Sequence, residues 1–95
     1  MNYFVYIMTN KNKTTLYIGF TNDLTRRVRE HKYTANPKSF SAQYNLHSLV
    51  YFEEFENADD ALRRENILKR WKRIWKDELI NNSNPHWLGL AEDWK

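Results

Sequence analysis

YFVYIMTNKNKTTLYIGFTNDLTRRVREHK, residues 3–32, changes its periodicity twice, and those changes set the fold. Residues 3–8 (YFVYIM) and 16–20 (LYIGF) are rich in β-branched and aromatic side chains, which suit a pleated, half-buried surface. The polar stretch TNKNKT (9–14) separates them, so the pair predicts a β-hairpin with a longer loop. Side chains alternate along a strand, so Tyr6 shares a face with Phe4 and Met8, and Tyr17 shares one with Thr15 and Gly19. Gly19 lacks a Cβ, so a backbone or a ligand can approach closely there. A helix then follows over roughly 22–33, capped by Thr21 or Asn22, with Asp23 favourable to the N-terminal dipole. Leu24, Val28 and His31 recur at helical spacing and face the sheet, while Arg27 lies one turn from His31.

Residues 34–46 read as a loop around Pro37, Lys38 and Ser39, and HSLVYFEEF (47–55) alternates as a third strand. Asn57 and Asp60 form a capping pair that opens a second helix over about 58–76. Its expected buried stripe is Ala61, Leu68, Trp71 and Trp75, with Ile67 and Ile74 beside it. Glu65 lies about 40° from Ala61 at about 100° per residue, on the margin between that stripe and the basic side. A short continuation (77–82) stops at Asn84-Pro85, because the residue before proline disfavours helix. Trp87 and Leu90 fold the tail back onto the domain.

The 95 residues are read as one domain, 1–95, with a thin core reinforced by five Phe, six Tyr and four Trp. No Cys is present, which rules out disulfides and thiolate metal sites and fits a reducing cytoplasm. The apolar run at 3–8 is too short for a membrane span. Net charge is only +3, but residues 63–76 (RRENILKRWKRIWK) carry seven Lys or Arg against the single acid Glu65. A stripe of that kind suits a polyanion, and it equally serves as a solvated helix face.

FVYIMTN and LYIGFTNDLTRRVREHK together resemble the signature of the GIY-YIG nuclease superfamily, with Phe4-Val5-Tyr6 and Tyr17-Ile18-Gly19 as its two tripeptides. Phe4 stands where the first glycine is usual. SFSAQYNLHSLVYFEEF, ALRRENILKRWKRIWK and LINNSNPHWLGL look like the small single-domain bacterial branch, which is similar to the nuclease domain of the excision-repair UvrC proteins. The resemblance implies an α+β fold in β-β-α-β-α order: a three-stranded antiparallel sheet flanked by helices, with a short C-terminal helix. It also implies a Mg²⁺- or Mn²⁺-dependent endonuclease or nickase acting on DNA phosphodiesters in repair or recombination. Carried over by position, the catalytic set is Tyr6, Tyr17, Arg27, His31 and Glu65, with Gly19 for close approach and Glu65 as the metal ligand. An asparagine that many members carry later in the chain has three candidate positions, Asn81, Asn82 and Asn84.

That set suits the chemistry. One carboxylate is an ordinary anchor for Mg²⁺, which keeps most of its waters. Arg27 offers a bidentate, permanently charged contact to phosphate. Tyr6 is the candidate base, helped by Tyr17 or His31. An unperturbed phenol titrates near pH 10 and an imidazole near 6.5, so the division of labour among the three stays open. Arg26, Lys38, Arg63, Arg64, Lys69, Arg70, Lys72 and Arg73 are the expected DNA-binding cations, gripping phosphates without reading sequence. RNA is an alternative substrate, and a binding module without turnover is the alternative function. A monomer or weak dimer with no membrane partner is expected.

Overall fold

The structure, a computed structural model, describes residues 2–32 and 45–94. Lys38 and most of the expected 34–46 loop lie outside the described residues. Three strands, β1 (Tyr3–Thr9), β2 (Leu16–Thr21) and β3 (Ser48–Phe55), form an antiparallel sheet in the order β2-β1-β3. Three helices accompany it: α1 (Leu24–Lys32), α2 (Ala58–Arg70) and α3 (Arg73–Ser83). The α+β architecture and the element order agree with the expectation from sequence.

β1 is central and covered on both faces, which explains why YFVYIM is apolar at consecutive positions rather than alternating with polar residues. Val5, Ile7, Ile18 and Val50 pack with Ala61 and Leu68 of α2 and Ile80 of α3. On the opposite face Tyr6, Met8 and Leu49 pack with Leu24 and Val28 of α1, and with Leu46 and Ala91. The register sets Tyr6 opposite Gly19 on one side and Phe52 on the other, with a bulge between Ile7 and Met8. The hairpin loop is held by Asn10, whose Oδ1 accepts from the backbone N–H groups of Thr14 and Thr15 at 2.9 and 3.1 Å.

Helix starts follow local side-chain chemistry. Asp23, rather than Thr21 or Asn22, caps α1: its Oδ1 accepts from the Arg26 N–H at 3.2 Å, so the helix begins at Leu24. Thr21 supports the cap by accepting the Asp23 N–H at 3.0 Å. Asn57 caps α2 as expected, accepting the Asp60 N–H at 2.9 Å and donating to the Asp60 carboxylate at 2.9 Å.

The C-terminal half departs from the expectation of one helix over 58–76. The chain breaks at Trp71 and Lys72, both extended (ψ 149° and 153°), and α3 starts at Arg73. Tertiary contacts accompany the break. Arg73 donates to the backbone carbonyls of Thr14 at 3.0 Å and Lys13 at 2.7 Å, tying α3 to the hairpin loop. Its Nε also meets Asp77 at 2.7 Å. The break moves the downstream apolar residues off the expected stripe. Trp71 remains packed against the core, but Trp75 is 47% exposed and Ile74 61% exposed. Ile67, also expected beside the stripe, sits on the outer face of α2.

Candidate active site

Tyr6 and Gly19 face each other across β1 and β2, and the space over Gly19 is filled by the tip of the Tyr6 ring. A Cβ at position 19 would lie 2.4 Å from both Cζ and Oη of Tyr6. The close approach expected for a substrate is therefore made by the phenol itself. His31, in the last turn of α1 and buried, sets Nε2 3.0 Å from the Tyr6 Oη. The Tyr17 ring completes the group, its centroid 6.1 Å from that of Tyr6 and 5.0 Å from that of His31. Two strands and one helix thus bring three proton-carrying rings into one cluster.

Arg27 sits one turn before His31. Its Nη1 is 3.5 Å from Glu30, while its Nε is buried and makes no hydrogen bond among the described residues. A buried guanidinium N–H without an acceptor carries an unmet desolvation cost. Glu65 projects from the margin of α2, where its side chain is 14% exposed and 3.2 Å from Lys69 Nζ. The charges acting on the Tyr6 hydroxyl include that of Arg27, on the helix packed against its own face of the sheet, and that of Glu65, on the helix across the sheet.

Burial pushes the Tyr6 phenol well above its ordinary range. The neighbouring Tyr17 adds to this by charge and by a hydrogen bond, as does the charge of Glu65, against the lowering influence of Arg27. Tyr6 therefore carries its proton at neutral pH. Burial pulls His31 down to about 4, helped by the charges of Arg27 and His47 and opposed by Glu30. The imidazole is consequently neutral at pH 7 and has an unprotonated nitrogen to offer. With that nitrogen as Nε2, Tyr6 donates to it.

Residues 2–78 match the model of the GIY-YIG catalytic domain. The chain belongs to the GIY-YIG family. It is 38% identical over 84 residues to a UPF0213 protein of Clostridium perfringens, covering 88% of this chain and 87% of that one. It is 36% identical over 77 residues to a UPF0213 protein of Haloquadratum walsbyi, covering 81% and 84%. The solution NMR structure of a UPF0213 protein from Bacillus halodurans superimposes with a TM-score of 0.58 at 27% identity, covering 98% of each chain. The UPF0213 name states no activity. The GIY-YIG domain itself marks a nuclease superfamily and so implies a nucleic-acid substrate.

For a GIY-YIG domain, the engagement of the basic residues matters. Arg64 is committed to the fold: its Nε and Nη2 each bond Glu53 at 2.9 Å, and its guanidinium lies over the Trp71 ring. Arg73 is committed likewise, through Thr14, Lys13 and Asp77. Arg26 and Arg63 make exposed pairs with Asp23 and Asp60, at 4.0 and 3.3 Å. Pairs of that kind are worth little and exchange readily for phosphate. Arg70 and Lys72 are exposed.

The three asparagines also separate. Asn84 is buried, donates to the carbonyls of Val50 and Leu88 at 3.1 and 2.9 Å, and accepts the Leu88 N–H. It fastens the tail to β3. Asn81 accepts from the Trp87 indole at 2.6 Å, and Asn82 lines a surface groove beside Trp75. The role of Asn84 as a tail anchor was not visible from sequence, where Asn-Pro reads first as a helix stop. No group of three or more His, Asp or Glu side chains suited to a metal occurs among the described residues. No helix among them is long and apolar enough to cross a membrane.

Proposed function

We propose that this GIY-YIG domain is a divalent-metal-dependent DNA endonuclease that nicks one strand per encounter, acting in repair or recombination. The observation that carries the reading is the 3.0 Å contact between Tyr6 Oη and His31 Nε2. It joins a protonated phenol to a neutral imidazole beside a guanidinium N–H that lacks an acceptor.

In this reading Tyr6 takes a proton from the attacking water as it passes its own to His31, so the phenol never carries full charge. Tyr17 hydrogen-bonds Tyr6 and holds it in position. Arg27 binds the non-bridging phosphate oxygens, using the exposed end of the guanidinium that now meets Glu30. Glu65 would hold Mg²⁺ or Mn²⁺: a single carboxylate without thiolate or imidazole partners suits a hard ion that retains most of its waters. Bound there, such an ion supplies Lewis-acid stabilisation of the phosphate and its leaving oxygen. Lys69 leaves Glu65 for a phosphate when that happens. Arg26, Arg63, Arg70 and Lys72 position the backbone without reading bases.

The test is cleavage of supercoiled, branched, nicked and single-stranded DNA, with an RNA control, in Mg²⁺ and Mn²⁺. Glu65→Ala is expected to lose about 10²–10³-fold in nicking, the scale of removing one transition-state stabiliser, while binding the same substrates. Equal binding with no cleavage in either metal would leave a nucleic-acid-binding module in its place.

A further inference from the structure

A groove of about 300 Å³ runs along α3, lined by Trp71, Trp75, Glu78, Leu79 and Asn82. We propose that it is a stacking platform for an unpaired nucleobase of single-stranded DNA, with the flanking phosphates on Arg70 and Lys72. The proposal rests on the nucleic-acid reading of this family, but not on cleavage at Glu65.

The groove is separate from the Tyr6 cluster. Arg64 and Glu65 are consecutive, so they leave α2 about 100° apart. Arg64 turns to Glu53 of β3 and covers Trp71. The groove is lined by Trp71, at the C-terminal end of α2, and by α3, and it shares no residue with the Tyr6 cluster.

Trp75 is built as a fixed plate. Its ring meets Trp71 edge-to-face, with centroids 6.2 Å apart and planes at 89°. Trp71 is packed on the core and carries the Arg64 guanidinium 5.3 Å from its centroid. Arg64 is itself locked to Glu53. The support is thus rigid while the plate is 47% exposed.

Charge chooses the occupant. Lys72 Nζ lies 5.8 Å from the Trp75 centroid and Arg70 is exposed nearby, so a second copy docking here would set cation against cation. A polyanion is favoured instead. Within the groove the charged group is an acid, Glu78, which repels phosphate. The backbone must therefore stay on the cationic rim while a flat, uncharged group enters. Glu78 can accept from a ring N–H or an amino group of a base, and the Asn82 amide can both donate and accept. In a duplex the bases are already stacked and cannot enter, so the platform discriminates for single strands.

Binding is read by fluorescence anisotropy in EDTA, using the Glu65→Ala chain, a labelled oligothymidylate and a duplex of equal length. Adding Trp75→Ala is expected to weaken oligothymidylate binding about ten-fold, within the range for losing one stacked base, and to leave duplex binding within about two-fold. Trp75→Tyr should recover most of the loss, which shows that a flat ring is what counts. The salt dependence should be unchanged by Trp75→Ala and reduced by about one phosphate contact in Lys72→Gln. Oligothymidylate affinity indifferent to Trp75, or equal losses for single strand and duplex, would overturn the platform. So would a Trp75-dependent dimer in sedimentation. Trp75-dependent binding without cleavage in any metal removes the nuclease reading and keeps this one. Glu65-dependent cleavage with binding indifferent to Trp75 does the reverse.

Discussion

A single methyl group at position 19 separates the two jobs a glycine can do in a strand. Gly19 has no positive φ, so its backbone suits any residue and the argument is one of space. An added Cβ meets the tip of a rigid ring 2.4 Å away, and the ring has to swing off His31. Gly19→Ala should cost about 1–3 kcal/mol, the usual scale of overpacking, in thermal or urea unfolding. Nicking should fall further than stability does, because Tyr6 loses its proton acceptor. Retained nicking at a normal fold would separate the Tyr6–His31 contact from the chemistry. From sequence, the close approach at Gly19 could be read but not its occupant. Register decides that, and one strand does not reveal what lies opposite it.

His31 makes a second prediction at this scale. Its folded pKa of about 4 lies below the ordinary value of about 6.5. Above pH 6.5 neither state binds the proton, and the group adds no pH dependence. Between pH 6.5 and about 4 the unfolded chain takes up a proton that the folded chain refuses, so stability falls with pH; below 4 the effect levels off. Tyr6, Tyr17, Arg27, Glu30 and His47 all face or act on this ring, and carboxylates add acid sensitivity of their own. Urea unfolding of wild type against His31→Gln at several pH values isolates the histidine: the variant should show the shallower decline. A direct NMR titration placing His31 near 6.5 would contradict the burial argument.

Among the elements, the two helices at the C-terminus show where local reading stops. The strands were legible because β-branched and aromatic residues mark them, and the start of α2 was legible because Asn57 and Asp60 act on neighbouring backbone. The break at Trp71-Lys72 contains no proline or glycine, and most of KRWKRIWK is Lys and Arg, which favour helix. It is accompanied by the bonds of Arg73 to carbonyls of a loop some 60 residues earlier, which no local pattern encodes. The same limit hid the engagement of Arg64 in what looked like a phosphate-binding stripe. Arg64→Ala leaves Glu53 and the Tyr51 hydroxyl that bonds it without their guanidinium. The side chains are only 28% and 20% exposed, so the loss should be about 1.5–3 kcal/mol, as for hydrogen bonds to a charged partner. For a domain of this size that lowers the thermal midpoint by roughly 6–24 °C. Duplex affinity should change less than it does in Lys72→Ala. The reverse ranking would return Arg64 to the DNA surface.

At the scale of the whole molecule, the proposed catalytic set contains each group once, with one Glu65, whereas cutting a duplex requires two phosphodiesters of opposite polarity to be reached. The sheet explains the single copy. Tyr6 and Tyr17 come from adjacent strands, His31 and Arg27 from the helix on one face, and Glu65 from a helix on the other. The sequence has no internal repeat to supply a second set. On the proposed reading, one chain held on a plasmid by a few exposed cations completes one cut and must dissociate, or turn over, before making another. Supercoiled plasmid with Mg²⁺ should pass first to nicked circles, with linear product appearing later and only through them. Raising ionic strength should slow both steps together, because phosphate contacts supply the binding. Linear product formed without a nicked precursor, at a rate rising with the square of protein concentration, would mean that two chains act as a pair across the duplex.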